Sequence, residues 1–120
     1  MPHIYTDKQA KRAIKSPEGQ DAMRLLVKSL DWLPKKRLCA LVQYYGEDFC
    51  AMGAMVAYAK RNMEAQPIIF EQSPALFQEI MYQNDKYVFR GPLPTPKPTP
   101  EEPHERWLRM RAWALKNIHD

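Results

Sequence analysis

Phe49-Cys50-Ala51-Met52-Gly53-Ala54-Met55-Val56-Ala57-Tyr58-Ala59-Lys60-Arg61 decides the fold. This is the most apolar stretch of the chain. Phe49, Met52, Val56 and Ala59 recur at helical spacing and form one stripe. Gly53, Ala54 and Ala57 are small enough to let another helix or backbone approach closely. The stretch reads as the central helix of a helical core. It ends near Asn62, and Pro67 prevents simple continuation beyond Gln66.

Upstream, Thr6-Asp7-Lys8-Gln9 fits a capping box and opens a helix from about Asp7 to Lys15. Ser16-Pro17 is an N-cap followed by proline at the first helical position. The helix it starts runs to about Asp31 and buries Met23, Leu26, Val27 and Leu30. Leu33-Pro34 ends it, because a residue before proline is pushed out of the α region. Leu38 to Tyr45 is apolar. Val42, Tyr44 and Tyr45 favour a strand, yet periodicity alone also allows a short buried helix. Gly46-Glu47-Asp48 reads as a turn.

Downstream, Ile68-Ile69-Phe70 reads as extended. Ser73-Pro74 repeats the cap-and-proline signal, for a helix to about Gln83 that buries Leu76, Phe77, Ile80 and Met81. Asn84-Asp85 ends it. From Gly91 to Pro100 every second residue is proline, which excludes helix and central strand and implies an extended surface strap. Thr99-Pro100-Glu101-Glu102 reads as a further capping box with Glu102 at the third helical position. The last helix runs to about Asn117, with Trp107, Met110, Ala114 and Ile118 on its buried stripe and Trp113 widening it. Glu102–Arg106 and Glu105–Arg109 are i,i+4 pairs in the favourable order. The expected fold class is therefore mainly α. It is one helical domain over residues 1–120, a bundle of four or five short helices with the Pro-rich strap 91–100 within it and room for one short strand pair.

The chain has 120 residues, 45% apolar and 27% charged, as expected of a single globular domain. No apolar run approaches the roughly 20 residues that span a bilayer, and Met1 to Lys8 has no apolar signal core. The expectation is a cytoplasmic protein (in the host cell if phage-encoded) that makes no membrane contact. Cys39 and Cys50 then stay reduced and act as small buried hydrophobes. His3, His104 and His119 do not pair with cysteine at zinc-site spacing, so no metal is expected. Gly19, Gly46, Gly53 and Gly91 are scattered and make no phosphate-cradling loop. No catalytic constellation and no cofactor are expected.

Three pieces stand in order: Phe49-Cys50-Ala51-Met52-Gly53-Ala54, then Gln83-Asn84-Asp85, then Thr99-Pro100-Glu101-Glu102 leading to Arg106-Trp107-Leu108-Arg109-Met110. This series resembles small uncharacterised proteins of tailed phages and bacterial genomes. Those proteins carry a Cys-x-x-Gly-Ala helix, an Asn-Asp turn and a Thr-Pro-Glu-Glu helix bearing Arg-Trp. The resemblance covers roughly residues 49–118, and the segment between Asp85 and Thr99 is longer here than the group's pattern. It implies a phage or mobile-element origin and adds no catalytic residue. Read physically, Cys50, Gly53 and Ala54 form a close-packing face for Trp107 and Met110. Asn84 and Asp85 cap a helix or tie the turn to the last helix. The functional alternative is a small polar pocket of Asn84, Asp85 and Arg106.

The net charge of +4 is uneven: residues 1–37 hold nine lysines and arginines against four acids. Lys8, Lys11, Arg12 and Lys15 share one helical face, and Lys35, Lys36 and Arg37 add a second basic group. Two functional readings follow. The first is a phage-type accessory protein that binds a host protein, an anti-CRISPR or other anti-defence inhibitor being one concrete version. Seven methionines, three tryptophans and six tyrosines exceed the obvious needs of so small a core, and such residues are enriched at interfaces. The second is nucleic-acid binding through the basic N-terminal third, with Tyr44 and Tyr45 available to stack on bases.

Overall fold

The computed structural model describes residues 6–40, 44–45, 48–62, 74–86 and 101–119. Among them are five helices: α1 (Asp7–Lys15), α2 (Pro17–Trp32), α3 (Ala51–Arg61), α4 (Pro74–Asp85) and α5 (Pro103–Lys116). Two short strands, β1 (Tyr44–Tyr45) and β2 (Asp48–Phe49), pair antiparallel, with Tyr44 opposite Phe49 and Tyr45 opposite Asp48. The fold is mainly α, as the sequence leads one to expect. The strap at 91–100, the extended reading of residues 68–70 and the turn residues Gly46 and Glu47 lie outside the described residues.

The first two helices form where their caps are written. Thr6 Oγ1 accepts from Gln9 N at 3.2 Å while Gln9 Oε1 accepts from Thr6 N at 2.8 Å, a complete capping box. Ser16 Oγ accepts from Gly19 N at 3.0 Å and Pro17 takes the first helical position. Each cap contributes about 1 kcal/mol. The link between the helices is the single residue Ser16, so α1 turns back sharply against α2. Gly19 makes this approach possible, because a side chain there would overlap the carbonyl oxygens of Ala13 and Ile14.

Helix α2 is the spine. It packs broadly against α3 and α5, while α1 lies across α2 and α4. Met23, Leu26 and Leu30 are fully buried, together with Leu38, Met52, Met55, Leu76, Ile80 and Met110. Full burial of one such side chain is worth roughly 1.5–3 kcal/mol. Helix α5 runs antiparallel to α2. Near its start Trp107 Nε1 donates to Leu30 O at 2.9 Å. Near its end Gln20 Nε2 donates to Asn117 O at 2.9 Å and Gln20 Oε1 accepts from His119 N at 2.7 Å.

Five expectations need correction. Phe49 is a strand residue, not part of the α3 stripe, and Asp48 belongs to β2 rather than to a turn. Cys50 ends the strand and caps α3, its sulfur accepting from Gly53 N at 3.3 Å. The box read at Thr99 to Glu102 does not start α5. Glu102 is the N-cap without a side-chain cap bond, and the helix begins at Pro103. Trp107 docks on α2 through Leu30, rather than on the small-residue face of α3.

Candidate functional site

Two clusters of polar residues stood out in the sequence, and the fold treats them oppositely. On α1 the back is anchored, with Ala10 and Ile14 buried at 3% and 6% exposure. The front carries Lys8, Lys11, Arg12 and Lys15, all exposed. Among the described residues none of these four has an ion-pair partner. Their i, i+3, i+4, i+7 spacing places the charges along about 10.5 Å of helix axis. Long, solvated side chains on a rigid backbone can meet several anionic groups at once.

The second basic group is not a continuation of that face. Lys15 and Lys35 flank α2, which is about 24 Å long. Lys36 is drawn inward. Its ammonium donates to Asp31 O at 2.5 Å and Leu33 O at 2.7 Å, and sits 5.7 Å from the Trp107 ring centre. Arg37 pairs with Asp48 at 3.0 Å. Lys35 and Arg37 instead edge a cleft of about 290 Å³ lined, among the described residues, also by Leu33, Pro34 and Phe49.

Asn84, Asp85 and Arg106 do not face one another across a pocket; Asn84 and Arg106 are buried and are linked into a closed junction through the Leu38–Cys39 backbone and through Glu101 and Arg109. Asn84 is fully buried. Its Oδ1 accepts from Ala51 N at 2.9 Å, satisfying an orphan donor at the start of α3. Its Nδ2 donates to Cys39 O at 3.0 Å and to Asp85 Oδ1 at 2.9 Å. Arg106, 4% exposed, donates to Leu38 O at 3.0 Å and to Glu101 O at 3.3 Å. Its Nε lies 3.3 Å from Glu101 Oε1, within ion-pair range, yet that N–H is not aimed at the oxygen and has no hydrogen-bond partner.

Glu101 is the centre of this junction, and the sequence reading assigned it only to a cap. It accepts from Arg109 twice, at 2.7 and 3.0 Å, and Arg109 also donates to Asn84 O at 3.3 Å. The signal lay in the spacing of Glu101, Arg106 and Arg109. Arg106 lies five residues beyond Glu101 and Arg109 eight beyond, which brings both arginines under a carboxylate just upstream of the helix. Asn84 thus both caps α3 and ties α4 to the last helix.

Among the described residues most methionine and aromatic side chains are used by the core. Met23, Met52, Met55 and Met110 are buried, and Trp107 is 8% exposed. Trp32, Trp113, Tyr58 and Met81 pack against the core. Of the large apolar residues described, only Tyr82, Leu108 and Leu115 are exposed, at 37%, 51% and 46%. The side chains of Tyr44 and Tyr45 lie outside the described residues. Cys50 is buried, whereas Cys39 is only half-buried, against the expectation of two buried thiols. Burial pushes both thiols up, Cys39 to about 11.

Among the described residues no group of three His, Cys, Asp or Glu could hold a metal ion, and no helix is long and apolar enough to cross a membrane. Comparison with known proteins finds no match: no family model, no curated protein and no solved structure aligns significantly with this chain.

Proposed function

We propose that this protein is a phage-type accessory binding protein whose working surface is the basic face of α1, and that the surface it engages is nucleic acid. The observation that carries this reading is the set Lys8, Lys11, Arg12 and Lys15: exposed, without ion-pair partners among the described residues, and seated on a helix whose other side is locked into the core. A stripe of about 10.5 Å spans roughly three phosphate steps of one strand at 3.4 Å each. The four residues of the face are all cations, and the amide of Gln9 beside them is engaged in the helix cap, so recognition is of backbone charge and not of base sequence.

Fluorescence anisotropy with labelled single- and double-stranded oligonucleotides across a salt series tests this. Four phosphate contacts give a slope of log affinity against log salt of about −3 to −4. Replacing Lys8, Lys11, Arg12 and Lys15 together by Glu abolishes binding. Unchanged affinity and slope in that variant would exclude α1 as the surface.

A second reading has one observation of its own. Leu108 and Leu115 are exposed one heptad apart on α5, with exposed Ala112 between them. Such a stripe suits a protein partner, including the host protein that an anti-defence inhibitor would occupy. A tagged capture from bacterial lysate with and without nuclease separates the two. One stoichiometric protein that survives nuclease, and is lost on Leu108→Glu, supports the α5 surface. Material that vanishes with nuclease supports α1.

A further inference from the structure

Cys39 and Cys50 are eleven residues apart in sequence but neighbours in the fold. Leu38 and Phe49 form a parallel bridge, and Cys39 N donates to Phe49 O at 2.9 Å. Each cysteine is the next residue after a bridge partner, so their side chains leave the paired backbones on the same side. Standard backbone dimensions then hold the two Cα atoms within about 6.5 Å, inside the range of about 4.4–6.8 Å that a disulfide spans. Both are thiols, with no disulfide between them. Their surroundings divide the labour. Cys39 is half-buried, its thiol donating to Asp48 O at 3.7 Å, while Cys50 is wholly buried, its sulfur accepting from Gly53 N.

We propose that Cys39 and Cys50 are a latent disulfide site, open to a small-molecule disulfide oxidant, that fastens the segment carrying β1 and β2 to the start of α3. The chemistry is two exchanges. The Cys39 thiolate attacks one sulfur of oxidised glutathione, forming a mixed disulfide and expelling one glutathione thiolate. The Cys50 thiolate then attacks Cys39 Sγ, closing the protein disulfide and expelling the second. Two protein thiols are oxidised, one glutathione disulfide is reduced to two thiols, and the two protein protons pass to solvent or to the departing thiolates. Burial of both sulfurs, and at Cys39 the neighbouring Cys50, make the first step slow at neutral pH. The rate therefore keeps rising with pH beyond the ordinary thiol range, toward the Cys39 value of about 11.

The test incubates the full chain with oxidised glutathione over a series of pH values, quenches with an alkylating agent, and reads intact mass without reductant. The expected product has lost two hydrogens and takes up neither alkylating agent nor glutathione. A non-reduced peptide map joins Cys39 to Cys50, and the melting temperature rises. Cys50→Ser is expected to stop at one glutathione on Cys39. Cys39→Ser is expected to resist the reagent while folded. Should Cys50→Ser fail to fold, the wild-type peptide map alone decides. Glutathione retained on wild-type Cys39, a disulfide-linked dimer, or two thiols still alkylated after long exposure at high pH would each overturn the proposal.

Discussion

The α1 face and the Asn84–Glu101–Arg106 junction are built from the same kinds of residue, yet one is open and the other closed. On α1 four cations stand in water without partners among the described residues. At the junction two arginines, a glutamate and an asparagine face one another and the backbone of four chain segments. Removing a charge from water is tolerable only when hydrogen bonds replace its hydration. The junction meets that condition almost completely, leaving only Arg106 Nε without a hydrogen bond. Satisfied buried polar groups fix architecture, and unsatisfied exposed ones are available for binding. The difference predicts that mutations at the junction act on stability, and those on α1 act on partners.

The largest effect is expected at Glu101. Glu101→Ala leaves Arg106 buried without its carboxylate and deprives Arg109 of two hydrogen bonds. Breaking a buried pair in this way costs about 3–5 kcal/mol. Urea unfolding followed by circular dichroism measures it. A loss under about 1 kcal/mol would show that water reaches Arg106 and that the junction is an open pocket after all. Asn84→Ala follows, at about 2–4 kcal/mol, because Ala51 N and Cys39 O lose a shared partner. Asn84→Asp discriminates further. It keeps the acceptor for Ala51 N but loses the donor to Cys39 O and sets a charge beside Asp85, so it too must destabilise.

Gly19→Ala sharpens the contrast from the side of α1. In an ordinary helix interior this change stabilises by about 1 kcal/mol. Here the new methyl meets the backbone carbonyls of Ala13 and Ile14, which cannot swing aside as a side chain would. A loss of about 1–3 kcal/mol is expected from the same unfolding experiment. A gain would mean that α1 is free to shift on α2, and that the basic face is not rigidly presented. Reversing Lys8, Lys11, Arg12 and Lys15 to Glu should change stability by less, about 0.5 kcal/mol per site or under, since the four sites lie exposed on the surface. Under the proposed function its main effect is expected on nucleic-acid affinity.

These contrasts also mark what the sequence disclosed. Helices α1 and α2 were legible nearly to the residue because each start signal lies within four residues of the bond it makes: Thr6 with Gln9, Ser16 with Gly19. Proline at the first helical position was a second guide. It holds at Pro17 and Pro74, but the box read at Thr99 to Glu102 put Pro100 in that position, whereas the helix begins at Pro103 and Glu101 turns to two arginines instead. Cys50 was read into a helix, although Cys50-Ala51-Met52-Gly53 repeats the cap-to-glycine spacing of Ser16 and Gly19 with sulfur in place of oxygen. The basic stripe was visible since it depends on helical period alone. Closure of the junction was not, because Asn84 finds its partners 33 and 45 residues away, and only tertiary packing decides whether polar neighbours enclose a pocket or fill it. The fate of the methionines was hidden for the same reason.

The smallest effect tests whether exposure, and not pairing as such, sets the worth of a charge. Arg111 grips Asp31 with two hydrogen bonds, at 2.7 and 3.1 Å, in geometry as good as that of Arg109 on Glu101. The difference is solvent: the Arg111 and Asp31 side chains are 35% and 46% exposed, against 4% for Glu101. The Arg111 hydrogen bond holds the Asp31 carboxyl below its ordinary value of 3.8. A depressed carboxylate contributes stability that is present above the unfolded value and is lost as pH falls through the lower folded one. Water screens this pair, so the contribution is under about 1 kcal/mol. Asp31→Asn is therefore expected to cost little at pH 7, and the gap from wild type should close as pH falls below the ordinary carboxylate value of 3.8 and Asp31 takes up its proton. A cost comparable to that of Glu101→Ala would mean that bidentate geometry alone stabilises the fold. The division between a closed junction and an open face would then have to rest on something other than burial.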